Sequence, residues 1–307
     1  MAPEIRPARS RVSNDQSHSR DPSPEHPDHQ VDQSNEKPPI VTRSYRFHLP
    51  KSRILDWDVN GKHNCAFMNS LSVFFPLGEQ FFIDSVKLHQ YAVPKDSKLY
   101  EEMRAFVQQE SIHSREHELY NEALSCHVAV STMEIVIDLV LKFFFNAFPR
   151  CVSLGGTIAL EHLTATLGHT VLIDETQFEG SEPHFLALWR WHAHEEIEHK
   201  AVAFDVYTAA YGRGPLSYAL RMICYSYALV VFAILLYPFF IYVSFKSGIL
   251  FDIKGWINLF NFHWGYGKNR GKLRRVAPML LDYLKPGFHP WEHNNSSLLK
   301  PLSKPPS

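Results

Sequence analysis

Two Glu-x-x-His motifs carry the chemical interest of this sequence: Glu110 to His113 and Glu196 to His199. Residues on an α-helix advance by about 100° each, so Glu110, His113 and His117 fall within about 60° of arc on one face. His192, Glu196 and His199 span a similar arc of about 60° on another. Each triplet therefore points one way, as ligands of a metal must. Carboxylates and imidazoles without thiolates suit iron, manganese or zinc. Such ions can handle electrons and oxygen, or they can activate water for hydrolysis. His117 lies one turn beyond His113 and reads as a ligand or as a partner of one. Glu195 lies about 60° from His192 and reads as a substitute or a support for Glu196.

Two more carboxylates interrupt apolar stretches. Glu79 sits among Phe74, Phe75, Leu77, Phe81 and Phe82, and Glu161 among Ile158, Ala159, Leu160 and Leu163. A buried carboxylate is costly unless it is paired or bound to metal, so both join the candidate set. Other polar neighbours are set aside. His162 points some 100° away from Glu161 and reads as a packed residue. Asp84 and Asp205 read as solvent-exposed, His194 and Glu198 as surface residues, and Phe185, Trp189 and Trp191 as core.

Helices must position these groups. Pro76 starts one at its first turn or kinks one already running. The break at Val93-Pro94-Lys95-Asp96 leaves Asp96 as the expected N-cap of a helix over 97–126. Further helices are expected over 129–147, 154–176 and 182–211, the last ended by Gly212-Arg213-Gly214-Pro215. No strand, hairpin or solenoid pattern is present. Residues 46–215 thus read as one metal-binding helical domain, 216–250 as an apolar helical segment, and 251–307 as a C-terminal helical extension and tail. Residues 1–45 are rich in Pro, Ser, Asp, His and Arg and are expected to be disordered. His18, His26 and His29 in that tail read as solvated.

The order along the chain is Glu79, then Glu110–His113, then Glu161, then Glu196–His199, each on its own expected helix. This resembles ferritin-like di-iron carboxylate proteins, in which two helices each give a Glu and two each give Glu-x-x-His. The resemblance implies an all-α fold with a ferritin-like four-helix core, additional apolar C-terminal helices and two iron ions, with manganese or zinc as alternatives. The stretches Gln109–His113, Glu161–Ala165 and Trp191–Lys200 also resemble a bacterial family named "predicted metal-dependent hydrolase", over about residues 45 to 285. The spacing of His192 to Glu196 and His199 is similar to that of the extra histidine in di-iron arylamine N-oxygenases. That resemblance implies His192 as a seventh ligand.

Net charge is −1 over 307 residues, which gives no sign of nucleic-acid binding. The four cysteines match no zinc spacing, and no secretory signal precedes them, so a cytoplasmic protein with reduced thiols is expected. Residues 222–245 carry no charge and are long enough to contact or cross a bilayer. The basic residues that follow would place the C-terminal side in the cytoplasm. A hairpin bent near Pro238, or a helix lying on the surface, reconciles this with a cytosolic metal site. No Gly-x-Ser-x-Gly and no Gly-rich phosphate loop occurs. The ligand pattern leads to an expected di-iron oxidase or oxygenase acting on a small hydrophobic substrate, with an electron-donor protein and a homodimer as candidate partners. A metal-dependent hydrolase is the alternative, and a non-catalytic iron-binding, membrane-associated bundle is the third reading.

Overall fold

The computed structural model describes residues 37–267 and 270–306. The expected disorder of 1–45 and the histidines at 18, 26 and 29 fall outside this range up to residue 36. Residues 37–50 run without regular secondary structure. Ten α-helices follow among the described residues, with no strand: α1 (Lys62–Ser72), α2 (Phe75–Leu88), α3 (Lys98–Ser125), α4 (Val130–Ala147), α5 (Arg150–Leu172), α6 (Pro183–His199), α7 (Val202–Tyr211), α8 (Pro215–Lys246), α9 (Ile253–Trp264) and α10 (Lys272–Asp282). The expected all-α class is therefore observed.

Local chemistry sets the helix ends. Ser97, not the expected Asp96, caps α3: its side chain accepts from the Tyr100 N–H at 3.3 Å. Glu182 caps α6 by accepting from the His184 and Phe185 N–H groups, with Pro183 at the first helical position. The helix expected over 182–211 is two. A non-helical step at Lys200–Ala201 separates α6 from α7, and Lys200 there turns its ammonium to the His293 carbonyl and Asn295. α7 ends on Gly212, whose φ of 71° is the left-handed conformation that glycine adopts without strain. α5 begins earlier than expected, directly after Pro149, and stops at Leu172.

α2 packs on α3, and α5 packs on α6. The pairs join through α2 with α5 and α3 with α6, so these four helices surround one interior. Apolar clusters lie on either side. One contains Trp57, Leu71, Tyr120, Phe185 and Trp191; the other contains Phe82, Phe106, Leu154, Ile158 and Tyr207. α8 lies along α5 and α1. Glycines allow its close approach: a Cβ on Gly155 would stand 2.5 Å from Cys224 Sγ, and one on Gly156 would stand 2.8 Å from the Tyr227 hydroxyl.

α8 is the one described helix long and apolar enough to cross a membrane. It runs unbroken through Pro238, so the expected hairpin bend is not present. Pro238 lies on the exposed side, while buried Leu236 and Phe240 keep packing to either side of it. Only 28% of the most apolar stretch of α8 is buried, so its outer face is uncovered.

Candidate metal centre

Each helix of the four turns one or more Glu or His residues inward. α2 supplies Glu79, α3 supplies Glu110, His113 and His117, α5 supplies Glu161, and α6 supplies His192, Glu195, Glu196 and His199. All nine are buried, none more than 3% exposed. His199 Nε2 lies 2.9 Å from Glu110 Oε1, 3.6 Å from Glu161 Oε2 and 3.7 Å from Glu196 Oε1. His192 Nε2 lies 3.0 Å from Glu196 Oε1 and 3.7 Å from Glu79 Oε1, and His113 Nδ1 is 3.8 Å from Glu196 Oε1. Three overlapping triads have ligand atoms within 4.8 Å of one another: Glu79, His113, His192; Glu110, His113, Glu196; and Glu110, Glu161, His199.

Many of these atoms have no hydrogen-bond partner in the protein. They are Glu79 Oε1, both oxygens of Glu110 and of Glu161, Glu196 Oε2, His113 Nδ1 and His199 Nε2. Buried polar atoms normally find partners. Among the described residues, no Lys or Arg pairs with any of the four carboxylates. Four buried acids converging with no Lys or Arg among them are costly to hold together, and bound cations reverse that cost. The donor set therefore fits metal.

Electrostatics agree with crowding. Burial pushes the carboxyls of Glu79 and Glu161 well above the usual range, and the neighbouring Glu110 and Glu196 add to the rise. Burial also acts against charge on His199 and Glu196, but each is outweighed by its partners. Glu110 and Glu196 hold His199 well above its ordinary value, while His199 and His192 hold Glu196 well below. His113 is kept well below by burial and by His192, whose ring stacks on it at 4.2 Å.

The outward nitrogen of each inward-facing histidine is held by a protein group. His113 Nε2 meets Glu195 Oε2 at 3.1 Å, His199 Nδ1 meets Gln109 Oε1 at 3.0 Å, and His192 Nδ1 meets His117 Nε2 at 2.7 Å. Such contacts fix tautomer and ring orientation in metal sites. His117 is itself fixed, with Nδ1 2.9 Å from Ser72 Oγ, and Ser72 donates to Asn121. Glu195 and His117 thus stand behind the cluster, and neither belongs to a triad. Glu195 is buried enough to be pushed up to about 7, against the pull of Arg43. Ser114 donates to Glu79 Oε2 at 2.9 Å.

Several of these partners carry no signal in the sequence. Arg43 comes from the extended N-terminal segment and binds Glu195 at 3.1 Å and Glu198 at 2.7 Å. Glu198 also accepts from Gln109 and from the Val41 N–H. The expectation that His194 and Glu198 are surface residues is corrected: they are 4% and 5% exposed. Glu198 is covered by residues 41–43, and His194 Nε2 meets the Lys300 carbonyl. Asp84 is exposed as expected, whereas Asp205 pairs with Lys37 and His289. His162 packs against Tyr283 and Phe288, and its Nε2 meets the Met279 carbonyl.

A sequence model of the family described as "Predicted metal-dependent hydrolase" matches residues 41–294. The chain belongs to that family. No curated protein and no solved structure matched it. The match spans every helix described above, so the metal-dependent hydrolase family includes the whole of the four-helix interior. It also corrects the expected function. An oxidase or oxygenase was the reading of the ligand pattern, but the family's description names hydrolysis, the alternative reading. Carboxylate and imidazole donors bind redox-active and redox-inert ions alike, so the donor types alone misdirect that choice.

Proposed function

We propose that this protein is a hydrolase of small-molecule substrates that uses a pair of divalent ions held by Glu79, Glu110, His113, Glu161, His192, Glu196 and His199. The unpartnered buried atoms that converge from four helices carry this reading. The overlap of the three triads through Glu110 and His113 supports two ions rather than one. Divalent ions supply Lewis acidity toward a scissile carbonyl and make water a nucleophile near neutral pH.

The protein's own groups do the rest. Glu195, Gln109 and His117 hold the three imidazoles in orientation. Ser114 ties down one oxygen of Glu79 and leaves Oε1 without a partner. Phe75, Phe106 and Trp191 lie against the histidine rings, within 4.5–4.9 Å, and keep bulk water from them. We also propose that the exposed apolar faces of α4, α8 and α9 rest on a lipid surface. Ile135, Leu139 and Phe143 on α4, Ile234 and Tyr237 on α8, and Ile257 and Phe260 on α9 are all exposed. Side chains join the three helices: Phe144 stacks on Tyr227 and Phe240 meets Trp256.

The decisive experiment measures metal content and hydrolysis of an ester and amide panel together. Bound metal near two ions per chain, with cleavage lost on chelation and restored by Zn²⁺, Mn²⁺ or Fe²⁺, is the expected result. Cleavage that survives chelation, or fully loaded protein that cleaves nothing, defeats the proposal. Co-sedimentation with vesicles tests the lipid contact, and protein left wholly in the supernatant refutes it.

A further inference from the structure

An apolar cavity of about 100 Å³ lies between α2, α4, α5 and α8. Its walls are almost wholly apolar, with Leu71, Phe82, Leu141, Leu163 and Phe232 among them. Three lining residues are polar: Glu79, Thr164 and Tyr227. The hydroxyls of Thr164 and Tyr227 donate to the Glu161 and Val152 carbonyls. Glu79 Oε1 alone in this lining is buried and unpartnered, among the described residues. The chamber therefore ends at the proposed metal cluster.

Gly78 also lines it. This glycine sits inside α2, where it weakens the helix relative to alanine. A Cβ at this position would meet nothing within 4 Å. Packing thus gives no reason for the missing side chain, but space beside Glu79 does. The outer wall is made by half-buried Val140 and Phe144 of α4 and Val231 and Leu235 of α8. Beyond it lie the exposed Val136, Leu139, Phe143, Val230 and Ile234. Apolar surface thus runs from the cluster to the outer face of these two helices; the paired Asp138 and Lys142 are the charged residues on the outer face of α4.

A second cavity of about 60 Å³ shares Leu71, Phe75, Thr164 and Leu167 with the first and touches His192 and Glu196. It differs in kind. Asn64 Oδ1, Gln177 Oε1 and both ring nitrogens of His263 lie in its lining, buried and without partners.

We infer that the substrate is an amphiphile with a hydrocarbon chain, taken from a lipid surface. The chain lies in the first chamber, the scissile carbonyl lies at the cluster, and the polar part faces Asn64, Gln177 and His263. This rests on the hydrolase reading above and names its substrate class. For an ester, the oxygen of water bonds to the acyl carbon and the bond from that carbon to the alcohol oxygen breaks. The alcohol leaves with one proton of the water, and the acid product releases the other.

The test uses the metal-loaded full chain with 4-nitrophenyl acetate, octanoate and dodecanoate, free in solution and held in phosphatidylcholine vesicles. The expected kcat/KM rises with chain length and is higher from vesicles. Gly78→Leu lowers the dodecanoate-to-acetate ratio of kcat/KM by about tenfold or more, with metal content retained. Gly78→Ala, the better helix former, lowers the ratio less and guards against a folding defect. A flat chain-length profile, or a ratio unmoved in both variants, overturns the chamber assignment while leaving metal-dependent hydrolysis intact. Faster cleavage from solution than from vesicles overturns delivery from lipid. If no ester is cleaved, the hydrolase reading falls and calorimetry with dodecanoate still decides the chamber. Binding weakened about tenfold by Gly78→Leu sustains it, and equal binding overturns it.

Discussion

The two Glu-x-x-His motifs take equivalent places on α3 and α6, yet their histidines present different nitrogens to the cluster. His113 turns Nδ1 inward and gives Nε2 to Glu195; His199 turns Nε2 inward and gives Nδ1 to Gln109. The bracing is reciprocal. Gln109 directly precedes Glu110 and holds the histidine of α6, and Glu195 directly precedes Glu196 and holds the histidine of α3. The partners differ in charge. A carboxylate raises the basicity of the imidazole it holds, whereas a neutral amide only orients it. Both partners are nonetheless tied to Arg43, Glu195 directly and Gln109 through Glu198. The two halves of the cluster are thus matched in geometry and unequal in electrostatics.

That contrast can be broken at several levels. The largest effect is expected from the motif glutamates themselves. Glu110→Ala and Glu196→Ala should each lower metal content and reduce hydrolysis by more than about 100-fold, read by elemental analysis beside steady-state rates. Next come the holding groups. Glu195→Gln keeps the shape but removes the charge, and should weaken metal affinity by about 10- to 100-fold; Gln109→Ala should lie near the lower end of that range. A loss in Gln109→Ala that matches or exceeds the loss in Glu195→Gln would show that charge does not distinguish the two halves.

Arg43→Ala should strain both halves at once, since it leaves Glu195 and Glu198 without their cation. Its side chain is 19% exposed, so a loss of about 2–3 kcal/mol in urea unfolding is expected, below that of a fully buried pair. A loss under about 0.5 kcal/mol would place the segment around Arg43 outside the stability of the site. The smallest effect lies outside both motifs. Burial holds His263 down to about 4, from an ordinary 6.5. Below 6.5 the unfolded chain gains a proton that the folded chain refuses, so stability falls on acidification from 6.5 toward 4. The contribution is about 1 kcal/mol at pH 5.5. His263→Gln should shrink the difference in urea midpoint between pH 7 and pH 5.5, and an unchanged difference would contradict this account.

Periodicity made the inward-facing clusters readable, because Glu110 and His113, and Glu196 and His199, repeat at the pitch of the helix they sit on. Glu79 and Glu161 were readable only through their apolar neighbours and their order in the chain. The helices were legible because Pro149, Gly212 and Pro215 punctuate them. What stayed hidden depends on distant segments. Glu198 and His194 look like surface residues until residues 41–43 and 300 cover them. Gln109 looks like any polar residue until α6 is placed opposite. The step at Lys200 follows from partners 93 and 95 residues away. The choice between oxidation and hydrolysis was misread, because nothing in a set of carboxylates and imidazoles dictates which ion fills it.

The covering of α6 has a consequence for biosynthesis. One side of this helix waits for nothing, since Arg43 and Val41 are translated long before it. The other side is closed by residues 293–300, and Asn295 is added to the chain 95 residues after Lys200. A chain cut before residue 290 would therefore lack the groups that meet His194 and Lys200 and leave that side of α6 uncovered.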